Sequence, residues 1–215
     1  VKATDAVMGV AFDGDADRLI MADAEGHLYN GDALLYVIAC DKIFQRNKKS
    51  GVVGTLMTNF ALEKNFARMG IEFARAKVGD RYVMELLRQK GWLYGGESSG
   101  HIIALDRQTT GDGIVSALQV LTAMRSQKKS LVELTADLHL MPQVLINRQI
   151  EKGFDYKSDK PFVDEIDRVQ KELGDRGRVL IRPSGTEPLL RIMVEADDDA
   201  LARSCAERIA GALKV

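Results

Sequence analysis

Three aspartates at alternate positions are the residues whose types and spacing most clearly suggest chemistry. Asp13, Asp15 and Asp17 follow an apolar run at 7–12 that is typical of a buried strand. Short carboxylates on a loop of small residues can converge on one ion, and Mg²⁺ prefers oxygen ligands at about 2.0–2.1 Å. We therefore predict a divalent cation site, with Arg18 beside it to hold an anionic group that shares the metal.

Two other interpretations of this loop start from the same carboxylates. An EF-hand calcium loop needs Gly at its sixth position and Glu at its twelfth. Arg18 and Ala24 stand there instead, so this interpretation fails. An acidic, solvated turn after a strand stays open as the simpler alternative.

A glycine-rich segment at 95–101 joins two strand-like runs. Its glycines allow the backbone to approach a ligand, while Glu97 and Ser99 offer an acceptor and a donor that suit vicinal sugar hydroxyls. The alternative is a glycine-rich hairpin with incidental polarity, in which His101 is structural.

A second polar loop, at 182–188, lies between two further strand-like runs. The forked donors of arginine match phosphate, and hydroxyls with loop amides can complete a cradle for a dianion. Residues of this type are Arg182, Ser184, Gly185, Thr186 and Arg191. No P-loop pattern occurs in the chain. A proline-bounded hairpin with solvated arginines is the alternative.

Two helix starts carry weaker signals. Lys77, Asp80 and Arg81 lie where a strand gives way to a helix, so basic side chains and helix amides could face an anion there. Helix capping by Asp80 is the alternative.

Capping explains the segment 109–113, which opens another predicted helix, adequately. His27 and His139 are interpreted as structural or surface residues.

Composition limits the class of protein. The 215 residues carry 30 basic and 31 acidic side chains, a net charge of -1, which argues against nucleic-acid binding. Cys40 and Cys205 lack metal-ligand spacing and are expected to be reduced in a cytoplasmic protein. No apolar run reaches the roughly 18–20 residues that span a bilayer, and the start is not a signal peptide. Because the chain lacks an initiator Met, we expect a fragment.

Alternating strand and helix patterns predict an α/β fold that positions these loops. The predicted strands are 7–12, 19–22, 51–55, 71–76, 92–96 and 101–105, and the predicted helices are 31–46, 58–69, 80–90, 112–126 and 130–138. After a boundary near 140–143 the order is strand 143–150, helix 161–173, strands 177–182 and 188–195, and helix 198–213.

The strings AFDGDADR, GGESSGH and RPSGTEPLLR, in that order, resemble the α-D-phosphohexomutase superfamily over essentially the whole chain. VGTLMTN, ARAKVGDRYV, TTGDG and LQVL most resemble its branch that acts on glucosamine phosphates. The resemblance implies a three-layer α/β domain followed by a smaller α+β C-terminal phosphate-binding domain. It assigns residues 1–28 to the tail of domain II with the metal loop, 29–141 to the sugar-binding domain III and 142–215 to the phosphate-binding domain IV.

The activity implied by the resemblance is interconversion of glucosamine 6-phosphate and glucosamine 1-phosphate, which supplies UDP-N-acetylglucosamine for cell-wall precursors. A phosphoserine exchanges phosphoryl groups with the substrate, through glucosamine 1,6-bisphosphate as intermediate and primer. Both transfers depend on positioning and on charge stabilisation. Mg²⁺ is the implied cofactor.

Family roles transfer onto matching positions. Asp13, Asp15 and Asp17 would ligate Mg²⁺ together with the serine phosphate, and Arg18 would lie beside the phosphoryl group. Glu97 and Ser99 would hold sugar hydroxyls, and His101 would be an acid/base group. The non-reacting phosphate would be held by Arg182, Ser184, Gly185, Thr186 and Arg191, while Lys77, Asp80 and Arg81 would line the same cleft.

The chain departs from the family pattern in two places. Ala16 replaces a common Gly in the metal loop, and the S-H-N-P motif of the catalytic serine is absent. Ser98, Ser99 and Ser184 belong to ligand loops and are not assigned as nucleophiles, so we expect the chain alone to be inactive.

The expected partners are a phosphosugar and the remaining domains of the same protein, with no nucleic acid and no membrane; homodimerisation is left open. A phosphomannomutase or phosphoglucomutase, or a non-catalytic phosphosugar-binding module, are the alternatives. Ser98, where those related mutases often carry Met, favours glucosamine.

Overall fold

The computed structural model describes residues 1–45, 49–151, 153–185 and 187–214. It divides into two compact units, Val1–His139 and Leu140–Val215. The division falls beside the proline-containing segment 140–143. Among the described residues, no helix is both long and apolar enough to cross a bilayer.

Two small sheets organise the first unit. One is antiparallel, in the order β1-β2-β3, and comprises β1 (Met8–Phe12), β2 (Leu19–Asp23) and β3 (Leu28–Tyr29). The other has the order β5-β4-β6-β7 and comprises β4 (Val52–Thr55), β5 (Phe73–Ala76), β6 (Tyr94–Gly96) and β7 (Ile102–Ala104). In the second sheet β4 is parallel to β5 and β6, whereas β7 is antiparallel to β6.

The described residues of this unit form five α-helices, of which the first three connect strands, and side-chain caps begin most of the five. They are α1 (Gly31–Ala39), α2 (Phe60–Arg68), α3 (Asp80–Lys90), α4 (Gly113–Gln127) and α5 (Leu131–Leu134). Asn30, Asn59, Asp112 and Ser130 each accept a hydrogen bond from a first-turn amide, which satisfies a donor that the helix leaves unpaired. A π-helical turn, Cys40–Gln45, continues α1. Position 46 of the predicted helix 31–46 lies outside the described residues.

Two predictions about secondary structure differ from the structure. The predicted helix 130–138 ends at Leu134, because the chain then forms a turn in which the Leu138 amide donates to the Thr135 carbonyl at 2.9 Å, three residues back instead of the four of an α-helix. The two-residue strand β3 was not predicted, since two residues are too few to show alternation.

Helices cover both faces of the four-stranded sheet. Val53 and Ile103 face α3 and pack with Val83 and Leu87 in one buried cluster. On the opposite face Val52, Tyr94 and Ile102 are at most 1% exposed, and α1 and α4 pack against β6 and β7. The first unit is therefore a three-layer α/β structure.

The second unit is a smaller α+β structure. Its antiparallel sheet has the order β8-β10-β9 and comprises β8 (Gln143–Gln149), β9 (Gly177–Pro183) and β10 (Leu189–Ala196). Alternate residues of β10, namely Leu190, Ile192 and Val194, pack in one core with the helices α6 (Lys160–Leu173) and α7 (Asp199–Ala212). The unit follows the predicted order of elements with bounds shifted by at most one residue.

Candidate functional site

The loop between β1 and β2 brings its three carboxylates together. Ligand oxygens of Asp13, Asp15 and Asp17 lie within 4.8 Å of one another. The loop closes through a hydrogen bond from the Ala16 amide to the Asp13 carbonyl at 3.2 Å, with Ala16 in the left-handed region at φ 58°. That conformation favours glycine, so the Gly that the family resemblance implies at this position would fit here with less strain than Ala16.

The carboxylates differ in what they already contact. Asp13 accepts the Arg18 amide at 3.2 Å, and the Arg18 guanidinium lies 3.7 Å away. Oδ2 of Asp17 is 2.9 Å from Nδ1 of His101, while its Oδ1 is buried and has no hydrogen-bond partner among the described residues. Asp15 is exposed. Such a set of converging oxygens, one of them buried without a donor, fits a hard divalent cation.

The glycine-rich loop after β6 is a tight turn held against the metal loop. The Glu97 amide donates to the His101 carbonyl at 2.9 Å, and the Gly100 amide donates to the Glu97 carbonyl at 3.0 Å. Leu19 at the start of β2 donates to the Gly100 carbonyl at 3.1 Å, and an isolated bridge joins Arg18 to His101. The sugar-type loop and the metal loop are therefore adjacent.

A cleft of about 270 Å³ opens between these two loops. Asp13, Arg18 and Ser99 contribute its polar groups. Its remaining lining is Ala11, Phe12, Leu19 and Ile20, which belong to the predicted strands 7–12 and 19–22, although the sequence did not indicate that they line a cleft. The cleft therefore combines a carboxylate with a hydroxyl and a guanidinium.

Glu97 also connects to the segment that precedes α3. Its Oε1 accepts the Gly79 amide at 2.7 Å, so the carboxylate fixes the loop that carries Lys77. The Lys77 ammonium lies 5.7 Å from the centre of the Tyr82 ring. The structure thus brings Glu97 and the Lys77 loop together.

Asp80 and Arg81 lie on the first turn of α3. Gly79 is the N-cap, and none of the described side chains makes a cap hydrogen bond to this helix, so the capping alternative for Asp80 is wrong. The Asp80 carboxylate accepts the Arg81 amide at 2.7 Å, and the Arg81 guanidinium pairs with Glu85 at 3.0 Å along the helix surface. Arg81 is thus already engaged by a neighbour on its own helix.

The segment that begins α4 does more than its predicted capping role. The Asp112 side chain does cap the helix, accepting the Val115 amide at 2.9 Å. In addition, the Gly113 amide donates to the Ala16 carbonyl of the metal loop at 2.9 Å. This contact was not predicted from the sequence. The two glycines of TTGDG, which allow another backbone segment to approach closely, were the feature that could have indicated it.

The arginine-rich loop of the second unit joins β9 to β10. Arg182 and Arg191 are cross-strand neighbours, an arrangement of like charges that is unfavourable unless an anion or acid balances it. Arg191 lies 3.5 Å from Glu187, and its Nη2 donates to the Ser184 hydroxyl at 3.4 Å. Thr186 lies outside the described residues.

A groove of about 700 Å³ borders this loop within the second unit. Ser184 and Gly185 contribute to its wall together with Phe154, Tyr156 and Pro188, among others. The aromatic residues come from the polar-looking segment after β8, and nothing in the sequence indicated them. An apolar wall therefore flanks the predicted phosphate loop.

A second group of potential ligands, Asp23, Glu25 and His27, occupies the hairpin between β2 and β3. Oδ1 of Asp23 accepts the His27 amide at 2.8 Å, and its Oδ2 contacts His27 Nδ1 at 2.9 Å and the Tyr29 hydroxyl at 3.0 Å. Because the buried carboxylate already has these partners, we interpret the group as a turn closure, in agreement with the structural role predicted for His27.

We expect the contacts of Asp23 in this hairpin to make the stability of the fold depend on pH. Burial alone would raise the pKa of Asp23, but hydrogen bonds from His27 and Tyr29 outweigh it and lower the pKa from 3.8 to about 2. A folded-state pKa below the unfolded value stabilises the fold above about pH 4, and this contribution is lost as the pH falls toward 2. We expect Asp23→Asn to lower the melting temperature by a few degrees at pH 7 and by less at pH 2.5. Thermal melts followed by circular dichroism test this, and equal losses at both pH values would contradict it.

Both units of the chain are similar to domains of known proteins. Residues 30–140 match the phosphoglucomutase/phosphomannomutase α/β/α domain III, and residues 145–212 match the C-terminal domain of the same proteins. A phosphoglucosamine mutase of Janthinobacterium sp. (strain Marseille) is 57% identical over 213 residues, which cover 99% of this chain and 48% of that protein. The chain spans about half the length of the curated relatives it matches.

Solved structures share the fold at lower identity. Aspergillus fumigatus N-acetylphosphoglucosamine mutase in complex with GlcNAc-6P and magnesium is 21% identical, with a TM-score of 0.78 over 96% of this chain and 52% of that chain. A variant of that enzyme in complex with glucose 1,6-bisphosphate is 20% identical, with a TM-score of 0.72 over 95% of this chain and 48% of that chain.

The domain III match alone covers more than half of the chain, and the match to the C-terminal domain lies in the second unit. The chain therefore belongs to the phosphoglucomutase/phosphomannomutase family.

Proposed function

We propose that the protein to which this chain belongs is a phosphoglucosamine mutase that interconverts glucosamine 6-phosphate and glucosamine 1-phosphate. The observation that carries this proposal is the convergence of three carboxylates beside the cleft that Ser99 and Arg18 line. Identity of 57% to a phosphoglucosamine mutase supports the choice of substrate. The three-part assignment of residues 1–28, 29–141 and 142–215 to successive family domains stays a prediction.

In this proposal the metal loop stabilises the transferring phosphoryl group. Asp13, Asp15 and Asp17 would hold Mg²⁺, which neutralises the charge that develops on phosphate oxygens. Arg18 lies within 3.7 Å of Asp13 and supplies a further cation at the same place. The nucleophilic serine is proposed to come from a part of the protein outside these 215 residues, because no S-H-N-P motif occurs here.

The remaining residues would bind and orient the sugar phosphate. Glu97 and Ser99 would hold sugar hydroxyls, with Lys77, Asp80 and Arg81 on the segment that Glu97 anchors. In the second unit the non-reacting phosphate would be held by Arg182, Ser184, Gly185, Thr186 and Arg191. The opposite positions of Arg182 and Arg191 on adjacent strands support this assignment, since a dianion would offset the repulsion between two neighbouring cations. Glucosamine 1,6-bisphosphate would be the intermediate and primer.

Kinetics with three substrates test the proposal. We expect the protein at the full length of its relatives to prefer glucosamine 6-phosphate over glucose 6-phosphate and mannose 6-phosphate, and the 215-residue chain to show no turnover with Mg²⁺ and a bisphosphate primer. Preference for glucose or mannose phosphate would instead favour a phosphoglucomutase or phosphomannomutase. Turnover by the purified chain alone would contradict the external nucleophile.

A binding experiment on the chain itself separates recognition from catalysis. We expect glucosamine 6-phosphate to shift amide resonances of the segment 182–191, and Arg182→Ala to abolish these shifts, because the variant removes one of the two arginines at opposite strand positions. Arg125→Ala, on α4 of the other unit, is the matched control and should leave them unchanged. Equal shifts in the Arg182→Ala variant would contradict the phosphate-binding role of this loop.

A further inference from the structure

Both ring nitrogens of His101 lie against neighbouring groups of the protein. The residue is 5% exposed, and its Nδ1 lies 2.9 Å from Oδ2 of Asp17. At the other edge of the ring, a Cβ added to Gly111 would lie 2.1 Å from Nε2, so the glycine backbone closes over that nitrogen. The imidazole is therefore held between a metal-loop carboxylate and the turn that precedes α4.

The contact with His101 distinguishes the two oxygens of Asp17. Oδ2 is occupied by the imidazole, whereas Oδ1 is buried and has no hydrogen-bond partner in the part of the chain that the structure describes. A carboxylate fixed through one oxygen can present the other in a defined direction. Outer-shell hydrogen bonds of this kind orient metal ligands in proteins.

The backbone around this pair is fixed from two sides. The bridge between Arg18 and His101, with the hydrogen bond from Leu19 to Gly100, places the imidazole opposite the metal loop. The Gly113 amide holds the Ala16 carbonyl from the other side. These contacts determine the register of Asp17 and His101, which lie 84 residues apart in sequence.

We propose that His101 is a positioning residue that donates its Nδ1–H to Asp17 and so directs the second oxygen of Asp17 toward the metal. This inference rests on the proposed metal-binding role of the loop and deepens it. The acid/base role implied by the family resemblance requires an accessible ring nitrogen. Closure of Gly111 over Nε2 argues against that access in this arrangement.

Three substitutions at His101 separate the two roles. The amide of His101→Asn can replace the Nδ1 donor, whereas His101→Gln extends its amide toward the Nε2 position and His101→Ala has no donor. With Mn²⁺ as the probe, paramagnetic broadening of amides 13–18 reports binding by the 215-residue chain without any need for activity. We expect the Asn variant to keep nearly the unmodified affinity, and the Gln and Ala variants to lose about 10- to 100-fold.

The kinetic counterpart uses the protein at the full length of its relatives. We expect His101→Asn to retain kcat at saturating Mg²⁺, while His101→Gln and His101→Ala require higher Mg²⁺ concentrations. Loss of kcat in all three variants, with unchanged Mn²⁺ binding, would overturn the proposal and favour proton transfer by His101.

Gly111→Ala gives a test that removes no polar group. The new methyl group must displace the imidazole, so Mn²⁺ affinity should fall although all three aspartates remain. Gly211→Ala, at an exposed position of α7 with open space around it, is the matched control and should leave Mn²⁺ binding unchanged. Unaltered Mn²⁺ binding by Gly111→Ala would contradict the proposal. Melting curves of each variant verify that the fold is retained.

Asp15→Asn distinguishes failure of this inference from failure of the metal site. If Asp15→Asn weakens Mn²⁺ binding but the His101 variants do not, the metal site stands and the positioning role is wrong. If Asp15→Asn has no effect either, the metal-binding role of the loop is wrong, and the positioning role is overturned with it.

Discussion

Asp15→Asn is expected to remove most of the divalent-cation binding at the metal loop while leaving the fold intact. Asp13 also holds Arg18, and Asp17 also contacts His101, whereas the structure shows neither a hydrogen bond nor an ion pair for the exposed Asp15 side chain among the described residues. The substitution therefore removes a ligand without breaking a structural contact. We expect Mn²⁺ affinity to fall by more than the about 10- to 100-fold that loss of an outer-shell partner costs.

The same substitution should affect catalysis strongly. Because the metal would stabilise charge on the transferring phosphoryl group, we expect kcat of the protein at the full length of its relatives to fall by about 10²–10³-fold, as when one preorganised charge-stabilising group is lost. Asp164→Asn, an exposed aspartate on α6, is the matched control and should change neither quantity. A melting temperature that falls together with the affinity would contradict the assignment of Asp15 as a ligand alone.

Gly31→Ala is expected to disrupt the sugar-type loop from the first turn of α1. A Cβ at Gly31 would lie 2.0 Å from the Glu97 carbonyl oxygen and 2.5 Å from the Gly100 amide nitrogen. Both atoms belong to the backbone, so no rotation of a side chain can relieve the clash. The Gly31 amide also donates to the Ser98 carbonyl at 3.1 Å, which keeps the two segments in register.

We expect Gly31→Ala to cost about 1–3 kcal/mol of unfolding free energy, the range for overpacked sites, and to abolish binding of glucosamine 6-phosphate through Glu97 and Ser99. Gly211→Ala makes the same chemical change in an open position of a helix and should stabilise the protein by about 0.5–1 kcal/mol. Chemical denaturation of both variants measures these opposite effects. If the two variants have the same free energy of unfolding, the loop accommodates the methyl group of Gly31→Ala and the prediction is wrong.

Local signals predicted the secondary structure well where caps and turns mark the ends. Helix α3 has the predicted bounds, 80–90, because Gly79 and Gly91 lie at its two ends and both adopt positive φ. Prediction was worse where no such residue marks the end: α5 ends four residues before the predicted position, in a turn that the Leu138 amide closes on the Thr135 carbonyl. The short strand β3 depends on pairing with β2, which is a non-local contact.

The sequence by itself determined which residues are the candidates for the chemistry, since alternate aspartates on one short loop lie close together. Only the tertiary structure decided what surrounds them. The contacts of Asp17 with His101, of Gly79 with Glu97 and of Ala16 with Gly113 join segments 18 to 97 residues apart. Such contacts depend on the register of strands and on backbone approach at glycines, and neither is encoded in the spacing of the residues that meet.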